Sequence, residues 1–476
     1  MRLSVLLAAV LWLFPVGEAC ADTIVLKNGR RIVALTVAVE GDKVRYTTPA
    51  GELALPKSIV DHIEKGGVQQ SVDSSGAANL AITPPSLEPG ANAAAESGAV
   101  RDGAVDRDFL AALAGEARGG GVAANEKAAM AYHAASQFEL TRGDMERALA
   151  DERTALTFTP ENPILLLNVA YLHLRRSEYK LALDYLERAQ RVAPDNPDVP
   201  KLAGWAYYGM NKLEQAVKEW QRALALRPDP EVRAALAKAQ RDQQEEENYR
   251  ENESTHFTLR YSGGAQPELA REILRALETH FSAIESELSY SPPEPIGVIL
   301  YTQQAFADIT RAPGWAGALN DGRLRVPVQG LTQLTPELSR VLKHELTHSF
   351  VRQKTHAAAP TWIQEGLAQW MEGKRTGANA AVLLQVYDAK QFISLGDLEA
   401  PWMKMSNETA GYAYAWALAN MEFIVQVDGM TDVERILDRL SEGMATEAAL
   451  KTVLRDDYSD LMDSTAQYLR KTYAVH

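Results

Sequence analysis

The stretch "VLKHELTHSF", residues 341–350, contains His344, Glu345 and His348 in the pattern H-E-x-x-H. On a helix, His344 and His348 lie one turn apart on the same face, so both ring nitrogens can reach a single ion. Glu345 projects about 100° round the helix from His344, toward the side of His348. The pattern thus places a carboxylate beside a metal ion without making it a ligand.

The residues before the motif predict that it lies on a helix. Thr335 can act as the N-cap, Pro336 suits the first helical position, and Glu337 follows in the first turn. Apolar residues then recur on both sides of the two histidines, namely Leu338, Val341, Leu342, Leu346, Phe350 and Val351.

A catalytic zinc site needs a third protein ligand and an open position for water. In "PTWIQEGLAQW", residues 360–370, Thr361 and Gln364 are in the register of a capping box, which predicts the start of a second helix. Glu365 lies in the first turns of that helix. Gly366 beside it permits another backbone to approach closely.

These segments resemble the gluzincin metallopeptidases related to thermolysin, specifically the bacterial peptidase-MA-like domains fused to tetratricopeptide repeats. The similarity extends over about 255 to 470 and is strongest in H-E-L-T-H and W-I-Q-E-G-L-A-Q-W. It implies that His344, His348 and Glu365 bind one Zn²⁺ per chain and that Glu345 is the general base. Such an enzyme hydrolyses peptide bonds with zinc-activated water.

The chain departs from thermolysin-like enzymes at Gln369, where those enzymes have a carboxylate that supports a zinc histidine. Glu372 is the alternative for that supporting role.

Two features that would contact the substrate are also expected. A strand containing Leu324, Val326 and Val328 includes Pro327, which predicts an edge strand that can pair with the substrate backbone. Related enzymes often supply an oxyanion donor from a later helix, and Tyr414 on the apolar side of such a helix is the candidate. The alternative for Tyr414 is a core tyrosine whose hydroxyl bonds to backbone.

The rest of the chain predicts a multidomain protein. Residues 251–476 mix strand patterns such as "IGVILY" with helical spacing and indicate an α+β zincin-like domain. Residues 107–250 contain columns that recur every 34 positions and resemble tetratricopeptide repeats followed by a capping helix. These columns are Ala148, Ala182 and Ala216; Ala155, Ala189 and Ala223; Pro160, Pro194 and Pro228.

The repeats allow two interpretations. Their concave groove can bind a protein or peptide partner, or the array can brace the neighbouring domain. The pattern from residue 256 onward predicts a core that folds without the array, and an insoluble fragment would favour the bracing interpretation.

The N-terminal part predicts export. Residues 1–21 have a basic start, an apolar run and an A-x-A cleavage register, as in a signal peptide, so we expect a periplasmic or extracellular protein. Lipoprotein anchoring at Cys20 fits the surrounding residues less well. Residues 22–66 indicate a small SH3-like β module, and 67–106 a flexible linker rich in Ala, Gly, Ser and Pro.

The composition narrows the classes of partner. A net charge of −14 argues against a nucleic-acid partner, and no stretch has the length and apolarity of a transmembrane helix. A protein or peptide substrate is expected. The alternative function is an exported repeat scaffold with a non-catalytic peptidase-like domain, although none of the four motif residues is missing.

Overall fold

The computed structural model describes residues 22–64, 98–301, 319–328 and 331–473, with gaps at 28–30, 35, 42, 49–50, 102, 263–266, 321–322, 401, 403–404 and 406. The predicted signal peptide with Cys20, and most of the predicted linker, lie outside these residues. The predicted fold class is confirmed: a small β module, a helical repeat array and a C-terminal domain of mixed α and β structure follow one another along the chain.

The β module consists of two antiparallel three-stranded sheets with strand orders β2-β1-β6 and β3-β4-β5. Its buried centre contains Ile24, Val44, Tyr46 and Val60. The strands are β1 (Asp22–Leu26), β2 (Arg31–Ala34), β3 (Thr36–Glu40), β4 (Lys43–Thr48), β5 (Gly51–Pro56) and β6 (Val60–Glu64).

The repeat array consists of paired helices that follow a short hairpin. Ala148, Ala182 and Ala216, the small residues 34 positions apart, are fully buried where paired helices meet. The hairpin strands are β7 (Val100–Arg101) and β8 (Ala104–Val105). The helices are α1 (Arg107–Gly119), α2 (Val122–Thr141), α3 (Met145–Phe158), α4 (Pro163–Arg175), α5 (Tyr179–Val192), α6 (Asp198–Gly209), α7 (Leu213–Leu226) and α8 (Pro230–Glu246).

The C-terminal domain contains a five-stranded sheet with strand order β12-β13-β11-β10-β9. Strands β10, β11 and β13 are parallel, whereas the outer strands β9 and β12 are antiparallel to their neighbours. The strands are β9 (Tyr249–Glu253), β10 (Phe257–Ser262), β11 (Ile296–Tyr301), β12 (Leu319–Asn320) and β13 (Leu324–Pro327).

The predicted edge position of β13 is wrong. β12 pairs with Leu324 and Arg325 of β13, so β12 is the outermost strand that the structure describes on that side. This pairing ends two residues before Pro327, so the missing proline N–H removes no bond to β12. The side chains of Leu324, Val326 and Val328 are buried in the domain core.

Eight helices complete the described part of the domain. Most of them pack around one continuous apolar core that includes Phe281, Phe350, Trp362 and Trp416. The helices are α9 (Pro267–Leu288), α10 (Pro336–Lys354), α11 (Thr361–Met371), α12 (Ala380–Asp388), α13 (Asn407–Val427), α14 (Met430–Ser441), α15 (Thr446–Val453) and α16 (Tyr458–Tyr473). Among the described residues, none of the helices has the length and apolarity needed to cross a bilayer.

The helix that carries the motif begins as predicted. The Thr335 side chain accepts a hydrogen bond from the Leu338 amide, and Pro336 occupies the first turn of α10. The second helix also begins at the predicted place, but the capping box is not formed. Thr361 is already the first helical residue of α11. The side-chain amide of Gln364 donates to the Ala359 carbonyl instead of to the N-cap.

The repeat array packs against the C-terminal domain. The turns within successive repeats contain Gly143, Ser177 and Asn211, which lie 34 residues apart and have φ values of 81°, 61° and 59°. At the first turn, a Cβ atom added to Gly143 would lie 3.2 Å from the Cα of Gly443 in the C-terminal domain. The array therefore contacts that domain, as the bracing interpretation requires, while binding of a partner in its groove stays a prediction.

Candidate metal centre

The two motif helices bring three potential metal ligands together. His344 and His348 extend from α10, and Glu365 extends from α11. The two Nε2 atoms lie 3.1 Å apart, and Glu365 carboxylate oxygens lie 3.3 Å from His344 Nε2 and 3.6 Å from His348 Nε2. One ligand atom from each residue lies within 4.8 Å of the others. We call these three residues, with Glu345 and Glu372, the metal pocket.

The position of Glu365 depends on the glycine that follows it. A Cβ atom on Gly366 would lie 2.4 Å from the Ala417 carbonyl oxygen, so a larger residue would push α11 away from α13. The close approach expected at Gly366 is therefore present. It fixes the first turns of α11, and with them the Glu365 carboxylate, relative to the core.

The donor set fits a zinc ion. Ligand atoms around a tetrahedral ion with bonds of about 2.1 Å lie about 3.4 Å apart, close to the separations here. Two imidazole nitrogens that face each other at 3.1 Å cannot both donate a hydrogen, so at least one lone pair points into the pocket. The Oε2 atom of Glu365 is buried, and its contact with His344 Nε2 at 3.3 Å is the polar contact that the described residues offer it. Two histidines and a glutamate form a known catalytic zinc set.

The surroundings perturb the titration of these groups in opposite directions. Burial disfavours protonated His344, but its contacts with Glu365 and Glu372 outweigh burial and raise its pKa to about 10. Burial dominates at His348 and lowers its pKa to about 4. Burial, together with Glu365 and Glu372, raises the pKa of Glu345 to about 7. The three carboxylates and two histidines thus share one strongly coupled environment.

Glu372 supports the first histidine. Its Oε1 atom lies 3.2 Å from His344 Nδ1, and Lys374 Nζ lies 2.9 Å from the same oxygen. Such a contact fixes the orientation of the ring and directs Nε2 toward the ion. Gln369 has a different role, because its amide donates to the Tyr414 carbonyl at 2.9 Å and ties α11 to α13.

Tyr414 lies beside the metal pocket on α13. Its ring packs edge-on against Trp402, with centroids 5.0 Å apart. Burial raises the pKa of its hydroxyl well above the ordinary value, and the charges of Glu365 and Glu345 raise it further. The hydroxyl therefore stays protonated, as a hydrogen-bond donor must, and its catalytic role stays a prediction.

The predicted substrate strand does not contribute side chains to the pocket. Leu324 and Val326 are fully buried and Val328 is nearly so, because all three face the core. Only backbone groups at this edge remain for strand addition, and β12 is the outermost described strand there.

Sequence reasoning missed a second charged cluster. Arg323 and Arg325 on the sheet contact Asp242 and Glu246 on the last helix of the array, and all four side chains are buried. A signal was present in the sequence. Two arginines that alternate with apolar residues in a buried strand require buried anionic partners.

Comparison with known proteins agrees with this organisation. Residues 284–471 match the family model of the Peptidase MA superfamily, and residues 173–239 match that of the tetratricopeptide repeat. The chain therefore contains a Peptidase MA superfamily domain preceded by tetratricopeptide repeats.

The similarity to individual proteins covers only a small part of this chain. A TPR repeat-containing protein of Pseudomonas aeruginosa is 31% identical over 96 residues, which cover 20% of this chain and only 16% of that protein. The first TPR domain of human RPAP3 is 23% identical, with 25% of this chain and 95% of that chain covered and a TM-score of 0.25. A MamA double mutant is 25% identical, with 28% and 72% covered and a TM-score of 0.24. Scores this low add nothing to the fold described above.

Proposed function

We propose that this chain is an exported zinc-dependent peptidase of the gluzincin type. The observation that carries the proposal is the convergence of His344, His348 and Glu365, with Glu345 in the same half-buried pocket. The Peptidase MA superfamily match over 284–471 supports it. The signal-like sequence of residues 1–21 supports export.

The chemistry divides between the ion and the chain. A zinc ion held by His344, His348 and Glu365 would supply Lewis acidity, which lowers the pKa of a bound water and polarises the substrate carbonyl. Glu345 accepts the proton of the attacking water as the new C–O bond forms. As the C–N bond breaks, Glu345 passes that proton to the leaving amine. The Tyr414 hydroxyl donates to the oxyanion.

The substrate backbone would lie along the outer edge of the sheet. β12 is antiparallel to β13, and both lie against α10, which carries the two histidines. An extended peptide can add to this edge through main-chain hydrogen bonds. Because the side chains of β13 point into the core or toward the array, they do not select the substrate directly.

The test is hydrolysis of an unfolded protein such as casein. We expect purified full-length protein to contain about one zinc per chain, to lose activity with a chelator and to regain it when zinc is added back. Glu345→Gln protein, purified in parallel, is the negative control, because casein cleavage in that sample would come from a contaminating peptidase. Zinc-free protein with no chelator-sensitive cleavage would favour the alternative, a repeat scaffold with a non-catalytic domain.

A further inference from the structure

The sheet of the C-terminal domain has two differently built faces. On β13, Leu324 and Val326 point into the apolar core, whereas Arg325, together with Arg323 just before the strand, points to the opposite face. Both arginines are almost completely buried, at 1% and 0% exposure. A buried face lined with two cations is stable only where a partner supplies matching anions.

The repeat array supplies those anions. Asp242 on α8 accepts two hydrogen bonds from the Arg325 guanidinium, at 2.8 and 3.2 Å, and a further short one from Arg323. Arg323 also donates to the Asn211 side chain at 2.6 Å. Glu246, one turn after Asp242, lies 3.5 Å from Arg323. We call these groups, with Tyr208 and Tyr301, the array–sheet network.

Two tyrosines complete the network. The Tyr208 hydroxyl, in the third repeat, donates to Asp242 at 2.8 Å and accepts from Arg325 at 3.1 Å. The Tyr301 hydroxyl, on β11, donates to Glu246 at 2.9 Å and accepts from Arg325 at 2.6 Å. Asp242 is fully buried and is bonded to both arginines and to Tyr208. It is therefore the centre of the network.

The network holds the strands that lie against the metal helix. β13 pairs with β12, and both strands pack against α10. Bidentate arginine–carboxylate contacts fix direction as well as distance. An opposing carboxylate on α8 therefore sets where β13 lies, and β13 sets where β12 lies.

We propose that Asp242, a residue of the repeat array, is a positioning residue that fixes β12 and β13 for pairing with an extended peptide substrate. This inference rests on the proposed peptidase function. It makes the array part of the substrate site without requiring the groove of the array to touch the substrate. A small displacement of α8 would then change substrate binding, whereas zinc binding would change only with a larger displacement.

The test compares two substitutions on the same helix. Asp242→Asn removes the central charge and keeps the shape. Asp229→Asn, at the N-cap of α8, removes an ion pair with Lys201 that lies within the array, and asparagine caps a helix equally well. Backbone amide exchange in residues 323–328 and Michaelis kinetics on casein are measured for the full-length proteins.

For Asp242→Asn we expect exchange at 323–328 to accelerate about 10-fold and KM to rise about 10-fold, because hydrogen bonds to charged groups are lost. Zinc content, kcat and exchange in α10 should change little. Asp229→Asn should behave as the wild type in every readout. A general loss of stability would accelerate amide exchange in α10 as well and leave the KM of the folded fraction unchanged. That result would overturn the positioning role.

Tyr208→Phe provides a milder variant in case Asp242→Asn fails to fold. It keeps the ring and removes one hydroxyl that bonds to Asp242 and to both arginines. We expect about a 3-fold rise in KM and in exchange at 323–328, in the same direction. Unchanged exchange at 323–328 would overturn the proposal. If the wild type cleaves nothing, the peptidase proposal fails, while the exchange data still decide whether Asp242 positions the strands.

Discussion

The protein contains one buried and one half-buried cluster of charged side chains, and the two differ in how the charges are matched. In the array–sheet network, the cations Arg323 and Arg325 meet the anions Asp242 and Glu246. In the metal pocket, two histidines face each other and three carboxylates share the space with Lys374 at the rim. The excess of negative charge and converging lone pairs attracts a cation.

This difference separates structural from chemical roles. A matched network balances the cost of burying its charges and joins two parts of the chain. An unmatched pocket retains that cost until a ligand arrives, so it marks the site at which chemistry is expected. The comparison can be tested by disturbing each cluster separately.

The largest effect is expected from removing one whole side of the matched network. Deleting residues 22–250 would expose Arg323, Arg325, Tyr301 and Ile299 on the sheet face, all of which are buried in the intact chain. We therefore expect an insoluble or unfolded fragment, contrary to the expectation from sequence that the C-terminal core suffices. Deleting residues 22–64 alone, which form a separate small unit, should leave a folded protein. Solubility and circular dichroism distinguish the two outcomes, and a folded, zinc-binding fragment would refute the bracing role.

A ligand substitution should abolish the chemistry and leave the matched network intact. We expect His344→Ala to lose zinc and to lower kcat/KM by about 10³-fold or more, since it removes one of three protein ligands. Glu345→Gln should retain zinc and lower kcat by about 10²–10⁴-fold, because an amide cannot accept the proton. Metal analysis and casein hydrolysis check both variants. If Glu345→Gln lost zinc as fully as His344→Ala, the assignment of ligand and base would be wrong.

Tyr414 lies between the metal pocket and the core. Its substitution therefore distinguishes a catalytic role from a packing role. We expect Tyr414→Phe to lower kcat by about 10²-fold, with little change in zinc content or Tm, because the phenol donates to developing charge. Trp402→Phe, which trims the ring that packs against Tyr414, is the packing control. A large fall in Tm with unchanged kcat of the folded enzyme would identify Tyr414 as a core residue.

The smallest effect is expected at the support of His344. Glu372→Gln keeps an oxygen that can accept from His344 Nδ1 but removes the charge, so zinc affinity should fall about 10-fold. Gln369→Ala is the matched control, because Gln369 ties α11 to α13 and does not contact His344. Competition with a chromogenic chelator measures both affinities. A smaller loss of zinc affinity in Glu372→Gln than in Gln369→Ala would show that Glu372 does not support His344.

Local sequence patterns were enough to predict the helices that carry the chemistry and the order of the domains. The capping of α10 by Thr335, the one-turn spacing of His344 and His348, and the 34-residue period of the repeats depend on neighbouring residues. Helical geometry alone therefore relates their positions. Glu365 could be predicted because it lies in the first turns of the next helix, and the structure places it beside the two histidines.

How distant segments meet became apparent from the folded chain. It placed Glu372 rather than Gln369 against His344, put β12 outside β13, and joined Asp242 to Arg325 across 83 positions of sequence. No periodicity links such residues, because each contact depends on how helices and strands pack in three dimensions. A strand pattern can show that two arginines are buried, but the identity of the opposing carboxylates emerges only when the array folds against the sheet.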